Sequence, residues 1–361
     1  MFTEADRMHM ARALELAEHG LYTTTRNPRV GCVLVRDGGI VGEGWHRDAG
    51  EPHAEALALR EARERARGAT AYVTLEPCAH QGRTPPCSQA LIESRVARVV
   101  AAMDDPNPLV AGKGFEALRA AGLETASGLM ATQAHELNIG FVSRMTRGRP
   151  WVRMKIAASF DGRTALRNGR SQWITGLEAR RDGHRWRARA CAVMTGIGTI
   201  RDDDPQLTVR EVESPRQPVR IVVDSRLETP PSARVLGPGT LIAAAAAESA
   251  RVAALTAQGA GVIVIPNAAG KVDLAALMRE LARREMNEVH VEAGYKLNGS
   301  LLRENLVDEL VVYFAPHILG DASRGMFDLP ELEDLSGRRE LEVKDMRSVG
   351  NDIRIIARVK S

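Results

Sequence analysis

Four cysteines in 361 residues are too few for the staple network of a secreted disulfide scaffold of this length. Long apolar runs are missing as well. The longest purely aliphatic stretch is Leu241 to Ala247, far below the roughly 20 residues that cross a bilayer, so no membrane association is expected. The N-terminus lacks a cationic start followed by an apolar core, and Glu4, Asp6 and Glu15 argue against a transit peptide, which places the chain in the cytoplasm. Nor is there an excess of one charge. With 49 Lys plus Arg against 46 Asp plus Glu the net charge is +3, without the basic surplus of a dedicated nucleic-acid binder. Low-complexity blocks are absent, and a 26% charged content does not signal wholesale disorder. What remains is a chain whose 44% hydrophobic content can fill the cores of two or three folding units of about 100 to 200 residues each.

Thr3 ahead of Asp6 reads as a capping box, followed by Met10, Leu14, Ala17 and Leu21 along one helical face. Val30 to Val35 is an apolar strand, turned by Asp37-Gly38-Gly39 into a hairpin partner at Ile40 and Val41. Helix and strand then alternate: a helix over His53 to Arg67, a strand over Ala71 to Leu75, a helix over Ser88 to Ser94 and a strand over Val96 to Met103. The alternation predicts a layered α/β domain with a mainly parallel sheet after the hairpin. Thr146-Arg147-Gly148-Arg149-Pro150 reads as a domain junction. Beyond it, strands are expected at Val152 to Ala158, Ala192 to Thr195, Val219 to Val223, Thr240 to Ala246, Val262 to Ile265 and Val289 to Val291, with helices at Ala179 to Arg189, Leu274 to Arg284 and Gly299 to Leu306. Glu309 to Phe314, Leu341 to Met346 and Asp352 to Val359 read as antiparallel additions to a sheet edge.

His53-Ala54-Glu55 opens a helix, Pro77-Cys78 follows a strand, and Cys87 comes after a Gly- and Pro-containing loop. One imidazole and two thiolates supply three corners of a zinc tetrahedron and leave the fourth to water, the pattern of a catalytic site. Such water ionises near neutral pH. Glu55, two residues after the histidine, can take its proton and hand it to a leaving amine. The competing structural readings are a closed zinc knot, or two buried cysteines beside an unrelated histidine. His80 competes as a fourth ligand, which would close the open corner, and iron satisfies the same spacing. Cys32 and Cys191 lie in apolar stretches and read as core thiols.

This H-x-E followed by P-C and a second Cys resembles the zinc deaminases of nucleobases and nucleosides, which space their cysteines as P-C-x-x-C. Here the run is longer: Pro77-Cys78-Ala79-His80-Gln81-Gly82-Arg83-Thr84-Pro85-Pro86-Cys87. With Thr74-Leu75-Glu76 before it, that loop is similar to the deaminase half of the bifunctional deaminase–reductase family of riboflavin biosynthesis, which acts on a phosphoribosylated diaminopyrimidine. The resemblance implies a cytidine-deaminase-like three-layer α/β/α domain over 1–147. It places Asn27 (in Asn27-Pro28-Arg29-Val30-Gly31), His46 (in Gly44-Trp45-His46) and Asn107 (in Asp105-Pro106-Asn107-Pro108) against the pyrimidine. Arg83 stands where the family has lysine and would face the substrate phosphate. Taken alone, Asn27, His46 and Asn107 each read more readily as structural turn residues.

In the second half, Gly196-Ile197-Gly198-Thr199-Ile200-Arg201 begins like a dinucleotide fingerprint but lacks its third glycine. Lys155 through Ala165, Ser171-Gln172-Trp173-Ile174-Thr175, and Thr199 through Arg210 are similar to the reductase half of the same family. That implies a dihydrofolate-reductase-like α/β domain over 148–361, using NADPH to reduce a ribosyl group to ribityl. By the resemblance, Ala157, Trp173, Thr199, Asp203 and Ser225 contact the cofactor, as does the turn and helix start formed by Gly294, Tyr295, Lys296, Leu297, Asn298, Gly299 and Ser300. Ser171, Arg187, Leu207, Arg210 and Glu292 contact the sugar-phosphate substrate. Arg187 alone is equally a solvated cation, and Lys155 either touches the ribose or pairs with an acid. Glu292-Ala293-Gly294 departs from the family's Glu-Gly-Gly, and alanine resists the positive φ open to glycine.

The implied set is Zn2+, NADPH and small phosphoribosyl pyrimidine substrates, with no nucleic-acid or membrane partner. A homo-oligomer, dimer or tetramer, is expected, with a sheet-edge dimer through the second half as one form. Two rivals are a nucleic-acid base deaminase, whose short cysteine spacing is absent, and a non-catalytic zinc-stabilised binding protein, against which the four intact deaminase positions count.

Overall fold

The computed structural model describes residues 1–79, 85–108 and 110–360, and the chain divides into two compact units, Met1–Gly148 and Arg149–Ser361. Helix α1 (Glu4–Glu18) starts with the expected capping box: the Thr3 hydroxyl accepts the Asp6 N–H and the Asp6 carboxylate accepts the Thr3 N–H at 2.7 Å. Asp6 also receives the Tyr72 hydroxyl and the Arg98 guanidinium, both at 2.8 Å. Burial opposes its charge, but these hydrogen bonds outweigh it and hold the carboxyl below the usual carboxylate range. The first helix is thereby pinned to the sheet beneath it.

That sheet has the order β2-β1-β3-β4-β5, from β1 (Gly31–Arg36), β2 (Gly39–Trp45), β3 (Thr70–Val73), β4 (Arg98–Ala101) and β5 (Glu124–Ser127). β1 is antiparallel to β2 and β3, and the remaining pairs are parallel. Alternation along each strand feeds two cores. Cys32, Leu34, Val73 and Val99 pack on α2 (Ala54–Ala62), α3 (Cys87–Glu93) and α4 (Lys113–Ala120). Val33, Tyr72 and Val100 pack on α1 and α5 (Ala131–Leu137). The helix expected to reach Arg67 stops at Ala62 and gives way to a short 3-10 turn over Arg63–Ala66. β5 reads Glu-Thr-Ala-Ser, an edge strand with no apolar run to announce it. α6 (Ile139–Arg147) carries the chain into the expected junction, which shrinks to Gly148, Arg149 and Pro150.

Glycine has a structural task under α2. A Cβ at Gly44 would lie 2.3 Å from the Ala54 carbonyl oxygen, and one at Gly42 2.2 Å from that of Ala58. The helix that opens on His53 and Glu55 therefore lies backbone to backbone on β2.

The second unit holds a nine-stranded sheet of order β10-β9-β8-β7-β11-β6-β12-β14-β13. Its elements are β6 (Trp151–Ser159), α7 (Leu177–Arg189), β7 (Ala192–Gly196), α8 (Ile197–Asp203), β8 (Val219–Val223), β9 (Thr240–Ala244), α9 (Ser249–Thr256), β10 (Gly261–Val264), α10 (Leu274–Arg283), β11 (Glu288–Val291), α11 (Tyr295–Arg303), β12 (Glu309–Ala315), β13 (Leu341–Val349) and β14 (Asp352–Val359). One face packs Met154, Met194, Ile221 and Val289 on α10 and α11, and the other packs Val193, Val222 and Ile242 on α8 and α9. Two expectations change. β12 runs parallel to β6 and inside the sheet, so only β14 and β13 are antiparallel additions. The helix expected over Gly299 to Leu306 begins at Tyr295, because Gly294 ends the extended chain after β11 and serves as its N-cap.

Candidate active sites

His53 is the N-cap of α2, Cys87 opens α3, and Cys78 follows the turn after β3, so three separate elements converge. His53 Nδ1 lies 3.2 Å from Cys87 Sγ and 3.6 Å from Cys78 Sγ, and all three ligand atoms fall within 4.8 Å of one another. Ligands bound at ordinary zinc distances to a tetrahedral ion stand roughly 3.4 to 3.8 Å apart, so this donor set fits the ion. The Cys87 thiol shares its proton with Cys78, which pulls Cys78 down to about 4, and the same sharing together with burial pushes Cys87 up. A divalent cation held by His53, Cys78 and Cys87 would displace that proton and keep both cysteines as thiolates. Glu55 is buried in the first turn of α2, and burial pushes its carboxyl up against the opposing pull of His53.

Asn27 and His46 also meet here. Asn27 Nδ2 donates to His46 Nε2 at 2.9 Å, while His46 Nδ1 lies 3.3 Å from the Pro52 carbonyl, which assigns the proton to Nδ1. The His46 ring stands edge-on to His53 with centroids 5.2 Å apart. Burial lowers the His46 pKa and favours the neutral ring. The backbone N–H of Asn107 donates to the Asp105 carboxylate at 2.8 Å. Arg83 and His80 lie outside the described residues.

In the second unit Arg187 forms a two-pronged pair with Glu292, one arm at 2.8 Å, and its third nitrogen donates to the Thr208 carbonyl at 3.0 Å. It is thus a paired cation. Burial opposes charge on Glu292, but Arg187 outweighs it and keeps the carboxyl well below the usual range. Burial lowers Lys155 on β6, with Glu292 raising and Arg187 lowering it further. His184 accepts the Arg210 N–H at 3.2 Å and is pushed down to about 4 by burial and by the charges of Arg187 and Arg210. Arg210 itself is exposed, touching Thr208 Oγ1 at 2.9 Å, and is lowered by burial and by like charge on Arg187 and Arg234.

The turns leaving the neighbouring strands β7 and β11 lie side by side: a Cβ at Gly294 would stand 3.9 Å from Thr199 Oγ1, and one at Gly196 3.3 Å from Leu297. Gly294 brings no capping side chain to α11, which leaves its first-turn N–H groups suited to a phosphate. Ala293 is not among the positive-φ residues, so the departure from Glu-Gly-Gly costs no backbone strain. Ser171 Oγ donates to Asp203 at 2.9 Å, joining a residue of the expected substrate set to one of the cofactor set. Trp173 is exposed beneath the Arg180 guanidinium, and Ala157 and Ser225 are half-buried. Leu207 is buried in the core with φ 55°. Asn298 donates to the Met326 carbonyl, and Gly299 lies against Asp328, so these two turn toward packing. Ser300 bonds back to Lys296 within the helix.

Residues 3–103 match the cytidine and deoxycytidylate deaminase zinc-binding region, and residues 150–355 match the RibD C-terminal domain. The riboflavin biosynthesis protein RibD of Escherichia coli (strain K12) is 49% identical across 96% of this chain and 98% of its own length. The chain belongs to the RibD family. RibD of Aquifex aeolicus (strain VF5) is 42% identical, covering 96% of this chain and 97% of its own. RibD of Acinetobacter baumannii superposes with a TM-score of 0.93 at 42% identity over 99% of both chains. The diaminohydroxyphosphoribosylaminopyrimidine deaminase/5-amino-6-(5-phosphoribosylamino)uracil reductase of Thermotoga maritima does so at 0.87 and 32% identity, again over 99% of both.

The two-part α/β architecture expected from the resemblance is that of these RibD structures. Sequence reasoning passed over two buried residues that contact candidate residues or their neighbours. Asn138, buried between α5 and α6, clamps Arg29 by accepting its N–H at 2.7 Å and donating to its carbonyl at 2.9 Å, which fixes the segment after Asn27. His290, buried on β11, stands 3.4 Å from Glu292. Neither sits in a recognisable motif, and their partners are 109 and 2 residues away in the chain.

Proposed function

We propose that the chain performs two consecutive steps of riboflavin biosynthesis: hydrolytic deamination of 2,5-diamino-6-(5-phosphoribosylamino)pyrimidin-4(3H)-one, then NADPH-dependent reduction of the ribosyl group of 5-amino-6-(5-phosphoribosylamino)uracil to ribityl. The observation that carries this is the His53–Cys78–Cys87 donor set, which no fourth His, Cys, Asp or Glu joins among the described residues, beside buried Glu55, in a chain that matches RibD proteins end to end. A zinc ion held there supplies the Lewis acidity that makes water a nucleophile near neutral pH. Glu55 takes the proton from that nucleophile and passes it to the departing amine, so ammonia leaves. Asn27, its amide nitrogen engaged by His46, keeps its carbonyl oxygen to accept a pyrimidine N–H. Asn107 and Arg83 complete the proposed contacts to this substrate.

In the second unit NADPH supplies hydride to the sugar C1′. The chain's own part is binding and proton transfer. Ala157, Trp173, Thr199, Asp203, Ser225 and the start of α11 are assigned to the cofactor, and Ser171, Arg187, Leu207, Arg210 and Glu292 to the sugar phosphate. Arg187 and Glu292 hold one another and wall the site, while Arg210, exposed and crowded by other cations, takes the phosphate. Lys155 follows Met154, which pairs with Val291 just before Glu292, and its ammonium lies 5.9 Å from the centroid of the Tyr313 ring; it is assigned to donate the proton that the sugar ring oxygen receives as the ring opens. Replacing Arg210 by Ala should raise the reductase KM by the equivalent of about 1.5 to 3 kcal/mol, roughly 10- to 150-fold, with kcat little changed. An unchanged KM would return Arg210 to the surface.

The free edge of the large sheet supports a homo-oligomer, a dimer or a tetramer built from dimers. β13 is exposed along most of its length, with Val343 and Met346 uncovered. Such an edge invites a second copy. Val343→Lys with Met346→Lys should convert the assembly to monomers in light scattering, and a monomeric unsubstituted protein would exclude the assembly. No described helix is long and apolar enough to cross a membrane. No disulfide joins any of the four cysteines, which supports a reducing cytoplasmic setting. Ammonia release and NADPH consumption, followed together on the synthetic diaminopyrimidine, test the whole reading, and the absence of both with zinc bound would overturn it.

A further inference from the structure

Glu76 is buried, ligates nothing in the metal triad and has no part in the chemistry above. Its backbone N–H donates to the Met103 carbonyl at 2.9 Å, which aims the side chain past the end of the sheet. There each carboxylate oxygen accepts two backbone N–H groups. Oε2 takes Asp105 at 3.1 Å and Gly112 at 3.0 Å, and Oε1 takes Gly114 at 2.9 Å and Phe115 at 3.4 Å. Three of these donors belong to the N-cap and first turn of α4, a helix that brings no capping side chain of its own. The fourth lies outside the helix, in Asp105-Pro106-Asn107-Pro108, and the Asp105 carboxylate in turn accepts the Asn107 N–H at 2.8 Å. Gly114 tightens the same joint. A Cβ there would fall 2.0 Å from the Pro77 carbonyl, so the start of α4 rests on the peptide just before Cys78.

A cap that served only its helix would have no reason to reach Asp105. We propose that Glu76 is a positioning residue for pyrimidine recognition: one buried carboxylate ties the segment bearing Asn107 and the start of α4 to the chain entering Cys78, so substrate affinity depends on it. This rests on the reading that Asn107 faces the pyrimidine. Glutamine at 76 keeps one oxygen for one pair of donors and turns an NH2 toward the other pair, which releases one side of the joint at nearly constant volume.

The test measures binding without turnover. In a Glu55→Gln background, the synthetic diaminopyrimidine phosphoribosyl substrate is titrated calorimetrically into the full-length zinc protein with and without Glu76→Gln, Asn107→Ala and both. Glu76→Gln is expected to weaken binding about 10-fold or more with zinc still stoichiometric, and to add little once Asn107 is already alanine. With Glu55 intact, it should raise the deaminase KM and leave kcat nearly unchanged. Equal affinity with zinc retained, or losses that simply add, would overturn the proposal. Should Glu76→Gln lose zinc, Glu76→Asp keeps every acceptor and shortens the reach. It is expected to hold zinc with the same pattern at smaller size, and loss of zinc from both would make Glu76 a folding residue only. Failure of the Glu55→Gln protein to bind the pyrimidine at all would instead overturn the reading of the deaminase site.

Discussion

Glu55→Gln should lower deaminase turnover by about 10²- to 10⁴-fold, the usual worth of a positioned proton carrier, while zinc content stays stoichiometric. The glutamine fills the same buried space in the first turn of α2 but can neither take nor return a proton. His53, Cys78 and Cys87 are untouched by the change, so metal analysis should read the same before and after. The second unit folds around its own cores, and NADPH oxidation on the pre-deaminated uracil should proceed at the unsubstituted rate. Ammonia release measured beside metal content decides it. Retained deamination would remove Glu55 from the role.

The second large effect is expected at Lys155. Replacement by Met, which keeps the length of the side chain, should slow NADPH oxidation about 10²- to 10⁴-fold in single turnover, with NADP binding preserved. Lys155→Arg separates charge from proton, because guanidinium does not give up its proton in this range. It should retain substrate affinity and remain slow. The pH profile carries the sign. Burial lowers the Lys155 pKa from its ordinary value, so a rate that needs its proton is full below that lowered pKa and falls as pH rises through it. A profile that rises with pH, or an active Lys155→Met protein, would assign the proton to another group.

The candidate metal triad was legible because its residue types are rare and its spacing is chemical: His53, Cys78 and Cys87 announce themselves in sequence and meet in the structure, with Glu55 buried close by. Most strands of the second unit were legible for a similar reason, being short apolar runs between turn signals. β5 was not, because Glu-Thr-Ala-Ser carries no apolar signal, and the direction of β12 was not, because polarity along a strand does not reveal which neighbour it will join. The start of α11 was misplaced by four residues, since neither Tyr295 nor Lys296 breaks a pattern and the N-cap is a glycine without a capping side chain. Hardest to foresee were partners joined over long separations. Arg187 with Glu292, Asn138 with Arg29 and Glu76 with Phe115 are bonds that only the fold brings into range.

Gly42 and Gly44 make the seat of α2 a main-chain contact, with nothing between helix and strand that could be trimmed or enlarged by degrees. For anyone reshaping this site, the side chains at 27 and 46 are adjustable parts, whereas position 44 is a datum. A methyl group there lifts the whole helix, and the histidine ligand and the acid travel with it. Metal retention and turnover would then fall in step, and no second change elsewhere in the pocket would restore one without the other.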